Sequence, residues 1–249
     1  MNVRSVLVCA WAVLVAATGI AKADGNSGHY VDLDHLDLVT FIPPAPAKGS
    51  RAEAEDLATV LKEQQGRKTA EMIYERFSFL RYAKGLNWQW QPEQLSTETK
   101  ALFDRLNDDV QVAAAKAKRR INRPRPFVLS TKVEWAGRTK ASSSANGGKQ
   151  AEAIIGSYPS GHSAKAYAAA FVLAAMVPEK VDEIFTRADT VAWEPVIGGS
   201  HFPTDSTTGA RTAAGVLFYA ATQNPTFKSD YQKARAEIRA ALKLTDQAK

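Results

Sequence analysis

Cysteine is nearly absent from this 249-residue chain, the single one being Cys9 in an N-terminal stretch. A disulfide-stapled scaffold is thereby excluded, and the fold must rest on its core. Glycine (15) and proline (11) are too scarce for a collagen-like chain, and 45% hydrophobic with 23% charged residues excludes a disordered one. Long apolar runs are also scarce. One extends from Val6 to Ala17, between Arg4 and the small-x-small ending Ala21-Lys22-Ala23. It is too short for a comfortable membrane span and reads as a secretory signal peptide cleaved before Asp24. Val8 stands before Cys9 where lipoprotein processing needs a small residue, so a lipid-anchored cysteine is not expected.

Removing residues 1–23 leaves 226 residues without cysteine, with 30 basic and 26 acidic side chains. A chain of that length buries roughly 70% of its unfolded surface and needs no staples. The small positive balance reads as a solvated surface. No long basic block with interleaved aromatics indicates a nucleic-acid partner, and no set of spanning helices indicates stable membrane insertion. Histidines and carboxylates form no cluster that demands a metal. Periplasmic or secreted localisation follows from the signal peptide, whereas the composition leaves the oligomeric state open, a homo-oligomer included.

Residues 24–50 run into Phe41-Ile42-Pro43-Pro44-Ala45-Pro46, which predicts an extended, surface-hugging lead-in to one domain over 24–249. From Ser50 onward helical periodicity dominates. Ala54, Leu57, Ala58 and Leu61 form an apolar face, with Asp56, Thr59 and Glu63 opposite; Ser50 and Glu53 fit a capping box. Helical patterns recur over Ala70–Tyr82, Thr97–Arg120, Ser163–Val177, Val181–Val191, Pro203–Thr222 and Lys228–Leu244. Alternation of period two is confined to short stretches such as Phe127–Trp135. The expectation is an all-α, single-domain helical bundle. The alanine-rich helix after Ser163 is its tightly packed centre, and Ala136–Ser157 is a surface loop.

Three segments carry chemistry. Pro159-Ser160-Gly161-His162 opens the alanine-rich helix, where unpaired backbone N–H groups and the helix dipole favour an anion such as phosphate. This tetrapeptide arises by chance in roughly one chain of this length in a thousand. His201-Phe202-Pro203-Thr204-Asp205 places a carboxylate within one turn of an imidazole, where it fixes the tautomer and frees the other nitrogen to attack. Lys118 to Phe127 is a basic helix end broken by Pro124 and Pro126, leaving Lys118 on the last turn and Arg125 on an extended exit. A point charge and a planar fork suit a phosphoryl group.

In this order the three segments resemble the phosphatidic-acid-phosphatase type 2 superfamily, with its Lys-x6-Arg-Pro, Pro-Ser-Gly-His and Ser-Arg-x5-His-x3-Asp pattern. The similarity is closest to the bacterial class A non-specific acid phosphatases. The resemblance implies a helical core and a metal-free, cofactor-free hydrolysis of phosphate monoesters, with small phosphate esters and inorganic phosphate as ligands. It implies His201 as nucleophile oriented by Asp205, His162 as the acid for the leaving group, and Lys118, Arg125, Ser160 and Gly161 as the phosphate cradle. The chain departs from the pattern at one place: Glu194-Pro195 stands where Ser-Arg belongs. Losing one preorganised donor costs about 10²–10³-fold in rate. The alternative reading is therefore a phosphate- or oxyanion-binding protein with little turnover. Lys116 with Arg123-Pro124 repeats the Lys-x6-Arg-Pro spacing in a second register, and Lys165, Arg187 and Arg211 are further candidate substitutes. For Glu194 and Arg187 the expectation is a solvated position.

Overall fold

A computed structural model describes residues 29–32, 36–65, 77–136 and 155–245. The expected signal peptide, residues 70–76 of one expected helix and most of the expected Ala136–Ser157 loop lie outside the described residues. Among those described the secondary structure is entirely helical. The principal elements are α1 (Arg51–Gln64), α2 (Phe79–Lys84), α3 (Thr97–Ile121), the single turn α4 (Pro126–Leu129), α5 (Gly161–Met176), α6 (Val181–Ile197), α7 (Pro203–Gln223) and α8 (Pro225–Ala241). The alternating stretch Phe127–Trp135 is not a strand: its first residues close the α4 turn, opened by Pro126, and the rest forms turns.

The alanine-rich α5 is the centre of the bundle, packed by α3, α6 and α7. Ala164, Ala166, Ala168, Ala169 and Ala170 are all buried, so neighbouring helix backbones approach closely from several sides. The closest approach is at Gly209 of α7, where a Cβ would stand 2.6 Å from Ser163 Cβ and 2.7 Å from the Ser160 carbonyl oxygen. Around this axis Leu102, Phe103, Leu106, Leu173, Met176, Ile184 and Ile238 complete one core, in which Phe79 stacks on Phe103 at 3.6 Å between centroids. Full burial of each such side chain contributes about 1.5–3 kcal/mol. The proline-containing segment lies across α3: Ile42 packs with Ala117 and Tyr158, and the Tyr158 hydroxyl donates to the Pro43 carbonyl at 2.7 Å.

The first helix is rotated relative to its expected amphipathic face. Ser50 caps it as expected, its Oγ accepting from Glu53 N–H, but the Glu53 carboxylate accepts from Gly49 N–H rather than from Ser50. Val60 is buried, whereas Ala54 and Ala58 are exposed. Asp56, expected on the solvent side, is buried. Its ion pair with Arg123 explains the rotation, because a buried carboxylate needs a paired cation. A second small core of Val60, Phe127, Val133, Val196 and Phe202 holds α1 in this orientation.

Candidate active site

The site lies where the ends of α3, α5, α6 and α7 meet, and ordinary helix-terminus chemistry places most of its groups. At the end of α3, Asn122 takes the left-handed conformation (φ 49°, ψ 41°) and the chain exits extended at Arg125 (φ −79°, ψ 159°). At the start of α5, Ser160 is the N-cap, its Oγ accepting from Ser163 N–H at 3.2 Å. Ser160 N–H in turn donates to the Asp205 carbonyl at 2.9 Å, which ties the start of α5 to the first turn of α7. Gly161 lies against Gln111, whose Oε1 would be 3.1 Å from a Cβ there. Pro203 opens α7, and Asp205 accepts from Phe202 N–H at 2.8 Å, so the carboxylate stays beside the preceding histidine.

His201 is 2% exposed. Its Nδ1 is 3.3 Å from Asp205 Oδ2, and its Nε2 is 3.3 Å from Arg125 Nη1. An ionised carboxylate only accepts and a guanidinium only donates, so the proton belongs on Nδ1 and the lone pair on Nε2. Burial, reinforced by the Lys118 and Arg125 cations, pushes His201 well below the usual imidazole range despite the opposing pull of Asp205. Burial alone would raise Asp205, but its bonds with His201, Arg123 and Ser157 outweigh that and bring it down to about 2. The result is a neutral imidazole with an oriented lone pair, backed by a permanent anion.

Lys118 and Arg125 are both buried, as helix-end and exit residues respectively. Lys118 Nζ donates to the carbonyls of Gly156 at 2.8 Å and Ser157 at 3.0 Å, and Arg125 Nη1 donates to the Ser200 carbonyl at 2.9 Å. Two cations are thus held beside His201. Such an arrangement favours an oxyanion. His162, the second residue of α5, has its Nε2 3.7 Å from Glu194 Oε2, and its ring makes a T-shaped contact with Phe77 at 6.1 Å between centroids.

Several groups here escaped the sequence reading. Arg123 does not serve as a second phosphate ligand. Its Nη1 donates to Asp205 Oδ1 at 2.7 Å, its Nη2 to Asp56 Oδ2 at 2.8 Å, and its guanidinium lies 4.0 Å from the Phe202 ring centroid. The second Lys-x6-Arg-Pro register thus hinted at a supporting arginine, whereas nothing in the periodicity of α1 pointed to Asp56. Ser157 donates its hydroxyl to Asp205 Oδ2, and Thr204 donates to Asp56 Oδ2. Pro195 is buried within the last turns of α6; its carbonyl accepts from Ser200 N–H at 2.9 Å and His201 N–H at 3.1 Å. The position expected to hold an arginine therefore anchors the backbone of His201.

Glu194 corrects the expectation of a solvated carboxylate. It is half-buried and turned toward His162, with Arg81 Nη2 3.9 Å away. Arg187 is partly buried rather than solvated, with its guanidinium against the backbone of Gly85. Arg211 is exposed. No group of three metal-ligating side chains occurs among the described residues, and no described helix is long and apolar enough to cross a membrane.

Residues 109–229 match the PAP2 superfamily, a span that runs from the middle of α3 into α8 and contains all three motifs. A non-specific acid phosphatase of Providencia stuartii is 26% identical over 212 residues, covering 82% of this chain and 81% of that protein. An acid phosphatase of Zymomonas mobilis subsp. mobilis is 27% identical over 218 residues, covering 83% of this chain and 77% of that protein. Both alignments cover more than four fifths of this chain, well beyond the three motifs. Over the matching span 109–229, which holds the two histidines and the two buried cations, the chain is similar to the PAP2 superfamily.

Proposed function

We propose that this protein is an exported acid phosphatase that hydrolyses small phosphate monoesters through a phosphohistidine. The observation that carries this reading is the polarity of His201: Nδ1 on Asp205, Nε2 turned toward Arg125, the whole imidazole buried and neutral. His201 Nε2 bonds to phosphorus as the phosphorus–oxygen ester bond breaks, and His162 gives its proton to the departing alkoxide. Water then attacks phosphorus, returns a proton to His162 and breaks the phosphorus–nitrogen bond, releasing inorganic phosphate. Lys118, Arg125, the Ser160 hydroxyl and the Gly161 backbone N–H hold the non-bridging oxygens, supplying the positioning and preorganised charge on which phosphoryl transfer mainly depends. Asp205 supports the imidazolium-like charge that develops on His201, with Arg123 and Ser157 keeping the carboxylate in place.

Release of phosphate from an aryl phosphate, followed from about pH 4 to 8 beside His201→Ala, tests this reading. Turnover by the unaltered protein and none by the variant is the expected result, with an optimum on the acidic side because His162 must be protonated while His201 is not. Phosphate binding without turnover in either protein would instead favour the oxyanion-binding alternative, with Pro195 as its cause. Export is tested separately, by recovery of the full-length chain from the periplasm with Asp24 as its first residue.

A further inference from the structure

The position of Glu194 suggests a second departure from the pattern, on the leaving-group side. His162 stands where nearly everything disfavours its charged form. Its side chain is 9% exposed, it is the second residue of α5 at the positive end of the helix dipole, and the Phe77 ring lies against it. The cations near this end of α5 are Lys118 and Arg125 from the α3 exit, Arg81 from α2, Arg187 from α6 and, one turn along, Lys165 of α5 itself. The carboxylates are Asp205, committed to His201, Arg123 and Ser157, and Glu194. Glu194 is within ion-pair distance of His162.

We propose that Glu194 is a positioning residue for His162, its carboxylate keeping the imidazole oriented and charged so that a proton is available for the leaving group. The proposal rests on the phosphatase reading above. Glu194 suits this role because it is itself held ionised: burial works against it, but His162, Arg81 and Arg187 keep it below the usual carboxylate range. Arg81 also limits its strength, since at 3.9 Å it competes with His162 for the same oxygen. The replacement of Ser-Arg by Glu-Pro thus weakens the phosphate cradle while strengthening the acid. Esters with poor leaving groups, which need a proton most, gain from that exchange.

The test is the titration of His162 in histidine-labelled protein, followed by NMR and assigned by comparison with His162→Gln. In Glu194→Gln its midpoint falls by about one pH unit, and in Arg81→Gln it rises, because the carboxylate is then left to His162 alone. Glu194→Asp recovers part of the shift. In turnover, Glu194→Gln loses more rate with an alkyl phosphate than with an aryl phosphate, and the alkaline limb of its pH profile moves to lower pH. An unchanged His162 midpoint in a folded Glu194→Gln protein, with folding judged by circular dichroism, overturns the proposal. The titration needs no turnover, so a chain that binds phosphate without hydrolysing it would defeat the phosphatase reading while still deciding the role of Glu194.

Discussion

The two histidines of the site are held in opposite ways. His201 lies on a rigid base of buried ionic bonds: Asp205 beneath it, Arg123 beneath Asp205, Asp56 beneath Arg123, and Thr204 and Ser157 closing the network. His162 stands on the first turn of an apolar helix with an aromatic ring on one side and a half-buried carboxylate on the other. The difference matches the work that the proposed mechanism gives to each. A nucleophile must stay neutral with its lone pair aimed, which calls for burial and a fixed tautomer. A proton donor must change charge twice per turnover, which calls for a counter-ion it can lean on without being locked to it.

The largest effects come from breaking the nucleophile side. Asp205→Asn keeps the shape but removes the anion that selects the Nδ1–H tautomer, and turnover of an aryl phosphate falls by about 10⁴-fold, as for a tautomer-setting carboxylate in other histidine mechanisms. Arg123→Ala acts one layer further out and reads mainly as stability. It leaves Asp56 and Asp205 buried without their cation, which costs about 3–5 kcal/mol in urea unfolding. If Arg123→Ala unfolds like the unaltered protein, the buried network is not what holds His201.

An intermediate effect tests the distance between the two sides. Gly209 brings α7, which carries Asp205, against the first turn of α5, which carries His162. Gly209→Ala places a methyl group within 3 Å of Ser163 Cβ, the Ser160 carbonyl and Ala164 N, mostly backbone that has little freedom to yield. The expected cost is about 1–3 kcal/mol in stability. Turnover falls together with stability, because the start of α5 is displaced from the start of α7; a destabilised variant with unaltered kcat would show that the two histidines need not be held so closely.

The boundary between what the sequence displayed and what it hid follows from how far apart the interacting residues are. Helices α3, α5 and α7 were legible because periodicity and helix-start signals are local: the α3 pattern repeats from Thr97, Pro159-Ser160-Gly161-His162 opens α5, and Pro203 opens α7. The motif residues were legible because phosphate chemistry uses few side-chain types in short spacings. Asp56 was not, since its partner Arg123 is 67 residues away and nothing in the local pattern of α1 announces a buried carboxylate. Local amphipathicity even pointed the helix the wrong way. Glu194 was misread for a similar reason, its nearest counter-charges coming from α5 and α2, with Arg187 of its own helix adding to them.

The smallest effect separates the contributions within the His201 network and is read by acid unfolding. Below about pH 6.5 the unfolded chain takes up a proton on His201 that the folded protein refuses, so stability begins to fall there. Asp205 acts later. Its native value of about 2 lies below that of an unfolded aspartate, so its contribution is complete above roughly pH 4 and is lost as the pH falls toward 2. Ser157→Ala removes one of the donors that hold the carboxylate down and costs about 1 kcal/mol near neutral pH. It also raises the native value of Asp205, so the acid-unfolding midpoint moves to higher pH, while the onset set by His201 stays where it was. A variant in which the His201-linked loss below about pH 6.5 also ends at a different pH would mean that Ser157, 3.4 Å from His201 Nδ1, supports the imidazole directly rather than through Asp205.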